Sequence, residues 1–340
     1  MTRSFCGIGA ALAISAVVVV AGQAPQAPAP LAPAVEQHIA AAKAAAGTDH
    51  AGLFEAVCGT TRNVIAQASA PPRAGGPGRG ARTGGPPAPP ARAAWHAEPV
   101  KVFDNLYFVG QTEFSAWAIT TSEGIILLDA IFDYSVEDEV VGGLKKLGLD
   151  PAQVKYVIVS HGHLDHAGGA KFLQERFGSR LVMTAADYDL LDQQNPAWKP
   201  KRDMVATDGY KLTLGDTTLT LYITPGHTEG TISTIIPVKD GRASHTAAAW
   251  GGTLFNFGPI KPRLQAYASS AERFKGIAAA AKADIILSNH TVYDGSKTKL
   301  PAVLARKPGE RHPYVVGGDA VARYLTTVGE CAQAAVAGLP

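Results

Sequence analysis

The chain has 340 residues, 46% of them hydrophobic and 18% charged, with a formal net charge of +2. That composition supports a sizeable globular core and excludes a chain that is mostly disordered. The near-balanced charge argues against nucleic acid or an anionic membrane surface as the partner, which leaves a small-molecule substrate.

The N-terminus carries Arg3, an apolar run from Ile8 to Ala21, and the small-residue sequence Val20-Ala21-Gly22-Gln23-Ala24. This is the layout of a secretory signal peptide over residues 1–23, so the mature protein is expected in the periplasm or secreted. The apolar run is shorter than the roughly 20 residues a comfortable span requires, so no stable membrane insertion is expected after cleavage. Cys6 sits at the start of the run and not just after it, which argues against a lipid anchor. Cleavage leaves Cys58 and Cys331 in a compartment that permits disulfides. They can pair and close a very long loop, or stand as two unrelated thiols.

Residues 24–69 read as an N-terminal helical extension. Pro33 to Ala46 is alanine-rich with Val35, Ile39 and Ala42 at helical spacing. From Ala70 to Ala94 the composition turns to Pro, Gly, Arg and Ala, too little apolar surface to offset chain entropy, so this is a linker or disordered loop. The catalytic domain is placed at residues 95–340. Its first half reads as strands at Val100–Val109, Ala116–Thr121 and Gly124–Leu128, the last closed by Asp129. A helix over Val136–Leu147 and a buried strand over Val154–Val159 complete a β-helix-β unit. A helix follows at Ala170–Phe177. In the second half, Lys211–Ile223 reads as a hairpin turning at Gly215-Asp216, and Thr231–Val238 as a strand. Ala271–Ala281 is helical, Ile285–Leu287 a short strand, and Ala320–Val336 a terminal helix.

The run Val154–Val159 ends at Ser160-His161-Gly162-His163-Leu164-Asp165-His166. The C-terminal end of a core strand is where α/β folds place chemistry. In an extended loop His161 and His163 point the same way and can reach one cation, while Asp165 and His166 lie further along the loop and can serve a second. Imidazole and carboxylate donors suit zinc. His227, in Thr224-Pro225-Gly226-His227-Thr228, and His290, after Ile285-Ile286-Leu287-Ser288-Asn289, sit at two further strand ends. His38, His50, His96, His245 and His312 lack such positions and read as surface residues or supports behind the ligands, with His245 the fallback should His290 fail.

The His-x-His-x-Asp-His motif, the later Pro-Gly-His-Thr and the final histidine resemble the metallo-β-lactamase superfamily over about Trp95 to Leu300. The resemblance implies an α/β fold of the αββα sandwich type and two zinc ions per chain. His161, His163 and His227 would hold the first zinc, and Asp165, His166 and His290 the second. Binuclear thioesterases of the glyoxalase II kind carry Gly-Asp-Thr-Leu-Phe with a bridging aspartate, where this chain has Gly251-Gly252-Thr253-Leu254-Phe255. No cysteine replaces it, so the pattern is most like subclass B3. Trp250-Gly251 stands where that subclass commonly has Asp-Ser, which leaves the substrate less defined than the fold. If Gly252 sits at the bridging position, an aspartate there is expected to tighten the second zinc.

The implied reaction is hydrolysis of a β-lactam by metal-activated water, with Asp165 as the catalytic residue that orients the water and moves its proton. The alternative is an exported hydrolase of a lactone, thioester or phosphoester. A non-catalytic zinc scaffold is disfavoured because structural zinc sites are closed and rarely use six ligands for two open metals. The chain has no Gly-x-Ser-x-Gly elbow, which argues against a serine hydrolase. Phe114, Trp117, Trp250, Phe255 and Phe257 are candidate pocket walls, with core packing the stronger expectation for them. Asn256, Ser288, Asn289 and Lys297 are candidates to hold a substrate carboxylate.

Overall fold

The computed structural model describes residues 31–69 and 89–340; the leader and most of the Pro/Gly-rich stretch lie outside the described residues. Two N-terminal helices, α1 (Pro33–Ala46) and α2 (Ala51–Ser69), precede the sheets. The first sheet holds β1 (Val100–Lys101), β2 (Leu106–Phe108), β3 (Trp117–Thr121), β4 (Gly124–Leu128), β5 (Val154–Ile158), β6 (Arg180–Thr184) and β7 (Met204–Ala206) in sequential order. Pairing is antiparallel up to β4 and parallel from β4 to β7. A π turn at Glu137–Val141, α3 (Gly142–Lys146), α4 (Leu164–Ala167), α5 (Ala170–Phe177) and α6 (Ala185–Gln194) make the crossovers. The second sheet runs β12-β11-β10-β9-β8, built from β8 (Tyr210–Leu214), β9 (Thr217–Ile223), β10 (Ile232–Asp240), β11 (Ala243–Trp250) and β12 (Ile285–Ser288). Helices α7 (Lys261–Ala280), α8 (Ser296–Ala305) and α9 (Gly318–Ala337) complete the chain.

Period-two alternation sorts the strand residues into layers. Ile126, Leu128, Ile158 and Val182 pack between the sheets with Ile285, Leu287, Ala247 and Ala249. Their neighbours Ile125, Leu127, Val157 and Leu181 face a helical layer that contributes Val140, Leu144, Leu173 and Leu191. On the far side Ala248, Trp250 and Ile286 meet α1, α2, α7 and α9 through Leu53, Val57, Phe274, Tyr324 and Val328. The result is the expected αββα sandwich. Among the described residues no helix is long and apolar enough to cross a membrane.

Several elements depart from the reading of the sequence. The stretch read as one strand over Val100–Val109 is two short strands paired as a hairpin. The helix read over Val136–Leu147 starts with a π turn, a form found at single-turn bulges inside helices. The helix at Ala271–Ala281 begins ten residues earlier, at Lys261, with Pro262 in its first turn, where a missing N–H costs nothing. Strand β11 was not visible as alternation, because Ala247, Ala248 and Ala249 are apolar on both faces of a buried strand.

Cys58 of α2 and Cys331 of α9 form a disulfide across a separation of 273 residues, with Cα atoms 4.9 Å apart. Thr61 donates to the Cys331 carbonyl at 2.6 Å, His38 meets Glu330 at 2.7 Å, and Arg323 donates to the Ala45 and Ala46 carbonyls, so both N-terminal helices are tied to the terminal helix. Closing so long a loop removes much of the freedom of the unfolded chain. Replacing both cysteines by serine is expected to lower unfolding free energy by about 2–5 kcal/mol. Chemical denaturation of the two proteins without reductant checks this, and coincident curves would show that the bond contributes nothing.

Candidate metal centre

His161 leaves the end of β5, and His163 stands in extended conformation as the residue before α4. Asp165 and His166 are carried on α4 itself, a single helical turn, and not on an extended loop as the sequence suggested. His227 follows β9 and His290 follows β12. The six residues proposed from the sequence come together at one end of the two sheets. Donor atoms of His161, His163 and His227 lie within 4.8 Å of one another, as do those of His161, Asp165 and His166. His290 Nε2 is 3.6 Å from Asp165 Oδ2, and its ring is 5.1 Å from that of His166.

The ring nitrogens show how each imidazole is aimed. A carbonyl only accepts, so His161 Nδ1 donates to the Gly251 carbonyl at 2.8 Å and His227 Nδ1 donates to the Leu254 carbonyl. His166 Nδ1 points at Asp129 Oδ2 at 3.0 Å. In all three rings Nε2 is left to face the cluster. The Nε2 atoms of His161 and His166 are buried without a hydrogen-bond partner, and His166 Nε2 meets Asp165 Oδ2 at 3.1 Å too obliquely to form one. His227 Nε2 and His163 Nδ1 face each other at 3.0 Å. Buried, unpartnered nitrogens that converge on a carboxylate are what a metal ion requires, and imidazole with carboxylate fits zinc.

Electrostatics agree with this aim. Burial, followed by neighbouring imidazoles, pushes His227 down to about 3 and His290 down to about 3, and carries His161 well below its ordinary value. His163 is lowered mainly by burial. These four are neutral at pH 7, the ligating form. His166 differs. Burial works against its charge, but Asp165 and Asp129 outweigh burial and push it up to about 10. For Asp165, burial works upward, and His166 and His290 overcome it to hold the carboxyl well below the usual range. A cation at Nε2 would take the place of the proton that the two carboxylates attract to His166.

Three supports escaped the sequence reading. Asp129 is fully buried and accepts from Ser160 N at 2.7 Å, Ser160 Oγ at 2.9 Å and His166. Its φ of +63° is uncommon for a residue with a side chain, although Asp tolerates it better than most. Asp187 accepts from Gly162 N at 2.9 Å, Thr228 Oγ1 at 2.8 Å and Gly230 N at 3.2 Å, joining the His161–His163 loop to the His227 loop. Asn289 donates to the Gly251 carbonyl at 2.8 Å, sharing that acceptor with His161. A polar residue closing an apolar strand was the available signal for Asp129, and Asp187 carried none.

The aromatic candidates divide. Trp117, Trp250 and Phe255 are buried in the core, whereas Phe114 is partly exposed with its ring 5.0 Å from that of His290. Phe257 is partly exposed and lies under the Arg263 guanidinium. Ser288 and Asn289 are buried beneath the histidines, Lys297 pairs with Glu113, and Asn256 is exposed. The structure therefore removes Ser288 and Asn289 as contacts for a substrate. His50 and His312, read as surface residues or supports, are buried and bonded to the carbonyls of Ala320 and Val102. His245 pairs with Asp284 at 2.6 Å, and six residues of extended chain, roughly 20 Å, separate it from Gly251, so it cannot replace His290.

Gly251 and Gly252 are required by close approach. A Cβ at Gly251 would lie 1.8 Å from the Ile232 carbonyl oxygen, and one at Gly252 would lie 2.4 Å from His227 Cβ. A side chain at 252 must therefore displace His227. The expectation that an aspartate there tightens a second metal is overturned by this contact. Gly252→Asp is instead expected to weaken zinc at the three-histidine cluster by about 10–100-fold, as loss of ligand orientation does. Zinc competition titration checks it, and unchanged affinity would mean that the loop yields freely.

The αββα sandwich gathers imidazoles and a carboxylate at its strand ends, a donor set suited to binding metal. Residues 109–242 match the profile of the Metallo-beta-lactamase superfamily. In solved structures the chain resembles BJP-1, a subclass B3 metallo-beta-lactamase of Bradyrhizobium japonicum, at TM-score 0.60 and 29% identity over 69% of this chain and 91% of that one. It resembles FEZ-1 of Legionella gormanii in fold, at TM-score 0.56 and 23% identity over 67% and 91% of the two chains. Among curated proteins it is 33% identical over 106 residues to a hydroxyacylglutathione hydrolase of Acidiphilium cryptum, covering 31% of this chain and 37% of that one. It is 34% identical over 113 residues to the N-acyl homoserine lactonase AttM of Agrobacterium fabrum, covering 30% and 43%. The chain thus spans well under half the length of these two curated relatives.

Proposed function

We propose that the protein is a binuclear zinc hydrolase that opens the β-lactam ring of antibiotics, acting in the periplasm or outside the cell. The observation that carries the reading is the donor set. His161, His163 and His227 form one cluster, Asp165 and His166 cluster with His161, His290 Nε2 lies 3.6 Å from Asp165 Oδ2, and Gly252 is packed on His227 with no carboxylate of its own. The likeness to BJP-1 over 91% of its length supports the same reading. The disulfide supports an oxidising compartment.

When bound, zinc supplies Lewis acidity and lowers the pKa of water from about 15.7 toward neutrality. The chain supplies the rest. His161, His163 and His227 would hold one ion, and Asp165, His166 and His290 the other. Asp165, about a quarter exposed and held ionised, would orient the attacking water and accept its proton. Phe114, its ring centroid 5.0 Å from that of His290 and 4.8 Å from that of Phe132, would offer an apolar surface to the substrate beside the site.

A second reading is hydrolysis of a lactone or thioester, favoured by the 33–34% identity to the lactonase and the hydroxyacylglutathione hydrolase. One set of assays decides. Zinc-loaded protein is offered a carbapenem, a cephalosporin, an acyl homoserine lactone and a glutathione thioester, and the first reading expects kcat/KM to be largest for the β-lactams. Turnover confined to the lactone or thioester would replace it, and a chelator must abolish whichever activity appears.

A further inference from the structure

Beneath the histidine cluster, between the two sheets, lies a cavity of about 10 Å³. Trp117 of β3 and Thr234 of β10 contribute to its walls, and Asp129, Ser160, Ser288 and Asn289 line the end nearest the site. Trp117 and Thr234 are each 1% exposed, and Trp117 Nε1 and Thr234 Oγ1 have no hydrogen-bond partner among the described residues. The other polar side chains of the cavity are satisfied: Asp129 by Ser160 and His166, Ser288 by Thr253 at 3.0 Å, and Asn289 by the Gly251 carbonyl. Two unpartnered polar atoms on residues from opposite sheets that line one void are rare in a folded interior, where nearly every buried polar group is paired.

The chemistry of the walls selects the occupant. An indole N–H can only donate, so it needs an acceptor and repels a metal cation. The Asp129 carboxylate in the same wall disfavours an anion. The volume is near the lower limit for one water molecule and excludes anything larger. We propose that a single buried water fills this cavity, accepting from Trp117 Nε1 and bonding Thr234 Oγ1, with Ser160 or Ser288 within reach as a further partner. The water joins the two sheets directly under the metal ligands. It rests against Asp129, which aims His166, and Asn289, which shares the Gly251 carbonyl with His161. It thereby belongs to the floor that holds both imidazoles, and the inference stands whatever substrate the enzyme takes.

The test combines a crystal structure with two near-isosteric variants of the full chain. The wild-type map is expected to show one spherical peak within hydrogen-bonding distance of both Trp117 Nε1 and Thr234 Oγ1. Thr234→Val removes one partner of the water while keeping the volume, so its thermal midpoint should fall below that of wild type. Thr234→Ser keeps the hydroxyl and should stay closer to wild type than the valine variant. A dry cavity predicts the reverse, because valine would then remove an unpaired hydroxyl and raise the midpoint. Absence of the peak overturns the proposal, and so does a Thr234→Val midpoint equal to or above wild type.

Discussion

Asp165→Asn is expected to preserve the fold and the three-histidine cluster while lowering kcat by about 10²–10⁴-fold, the usual range for removing a positioned proton acceptor. The amide has nearly the same shape as the carboxylate, so packing on α4 changes little. Its charge is lost, and charge is what Asp165 contributes. Its Oδ2 lies 3.1 Å from His166 Nε2 and 3.6 Å from His290 Nε2, the only carboxylate among the six donors. Without it the second set keeps two imidazoles and a weak oxygen ligand, and no carboxylate remains among the six donors to take a proton from water. Metal analysis beside steady-state kinetics separates two effects. Loss of one zinc with proportionate loss of rate would make Asp165 mainly a ligand. Retention of both metals with a fall in kcat at constant KM would make it the base. A wild-type rate would remove it from the chemistry altogether. The substrate for this test is whichever compound the wild-type protein turns over fastest.

The candidate site was the most legible part of the sequence because its chemistry leaves little freedom. Several donors within a few residues of a buried β-branched run have few uses other than a metal, and strand ends mark where His227 and His290 stand. The sandwich was legible for the same reason as its strands: Ile125 to Leu128 is a continuous apolar run, and Val154 to Ile158 is β-branched and apolar apart from Lys155 and Tyr156, as strands buried on most of both faces are. What escaped notice depends on contacts far apart in the chain. Asp187 looks like any helix residue until Gly162 and Thr228 are brought to it. His50 and His312 look solvated until a carbonyl appears opposite each ring in the core. Gly252 was legible as an absence, a missing bridging carboxylate, but only the fold shows that His227 already fills the space a side chain would need. The disulfide was open for a related reason, since nothing local to Cys58 or Cys331 indicates that α2 and α9 lie side by side.

Asp129→Ala should damage both stability and metal binding. The carboxylate is buried and takes three bonds, from Ser160 N, Ser160 Oγ and His166 Nδ1. Alanine leaves those buried donors without their carboxylate acceptor, and His166, at 0% side-chain exposure, loses one of the two carboxylates that favour its charge. Breaking a buried charged pair by removing one partner costs about 3–5 kcal/mol. The same bond orients the ring, and partners that orient a metal-binding histidine are worth about 10–100-fold in metal affinity. The second metal should therefore weaken while the first, held through Gly251, Leu254 and the Asp187 loop, weakens less. Asp129→Asn discriminates the two roles: its amide can still accept one bond, so stability should partly return, but it cannot satisfy both Ser160 and His166, so the second metal stays weak. Isothermal titration of metal-stripped protein with zinc, paired with urea unfolding, reads both quantities. Equal zinc affinities in wild type and Asp129→Ala would show that His166 is aimed by packing alone, and the pairing with Asp129 would then have no part in building the metal site.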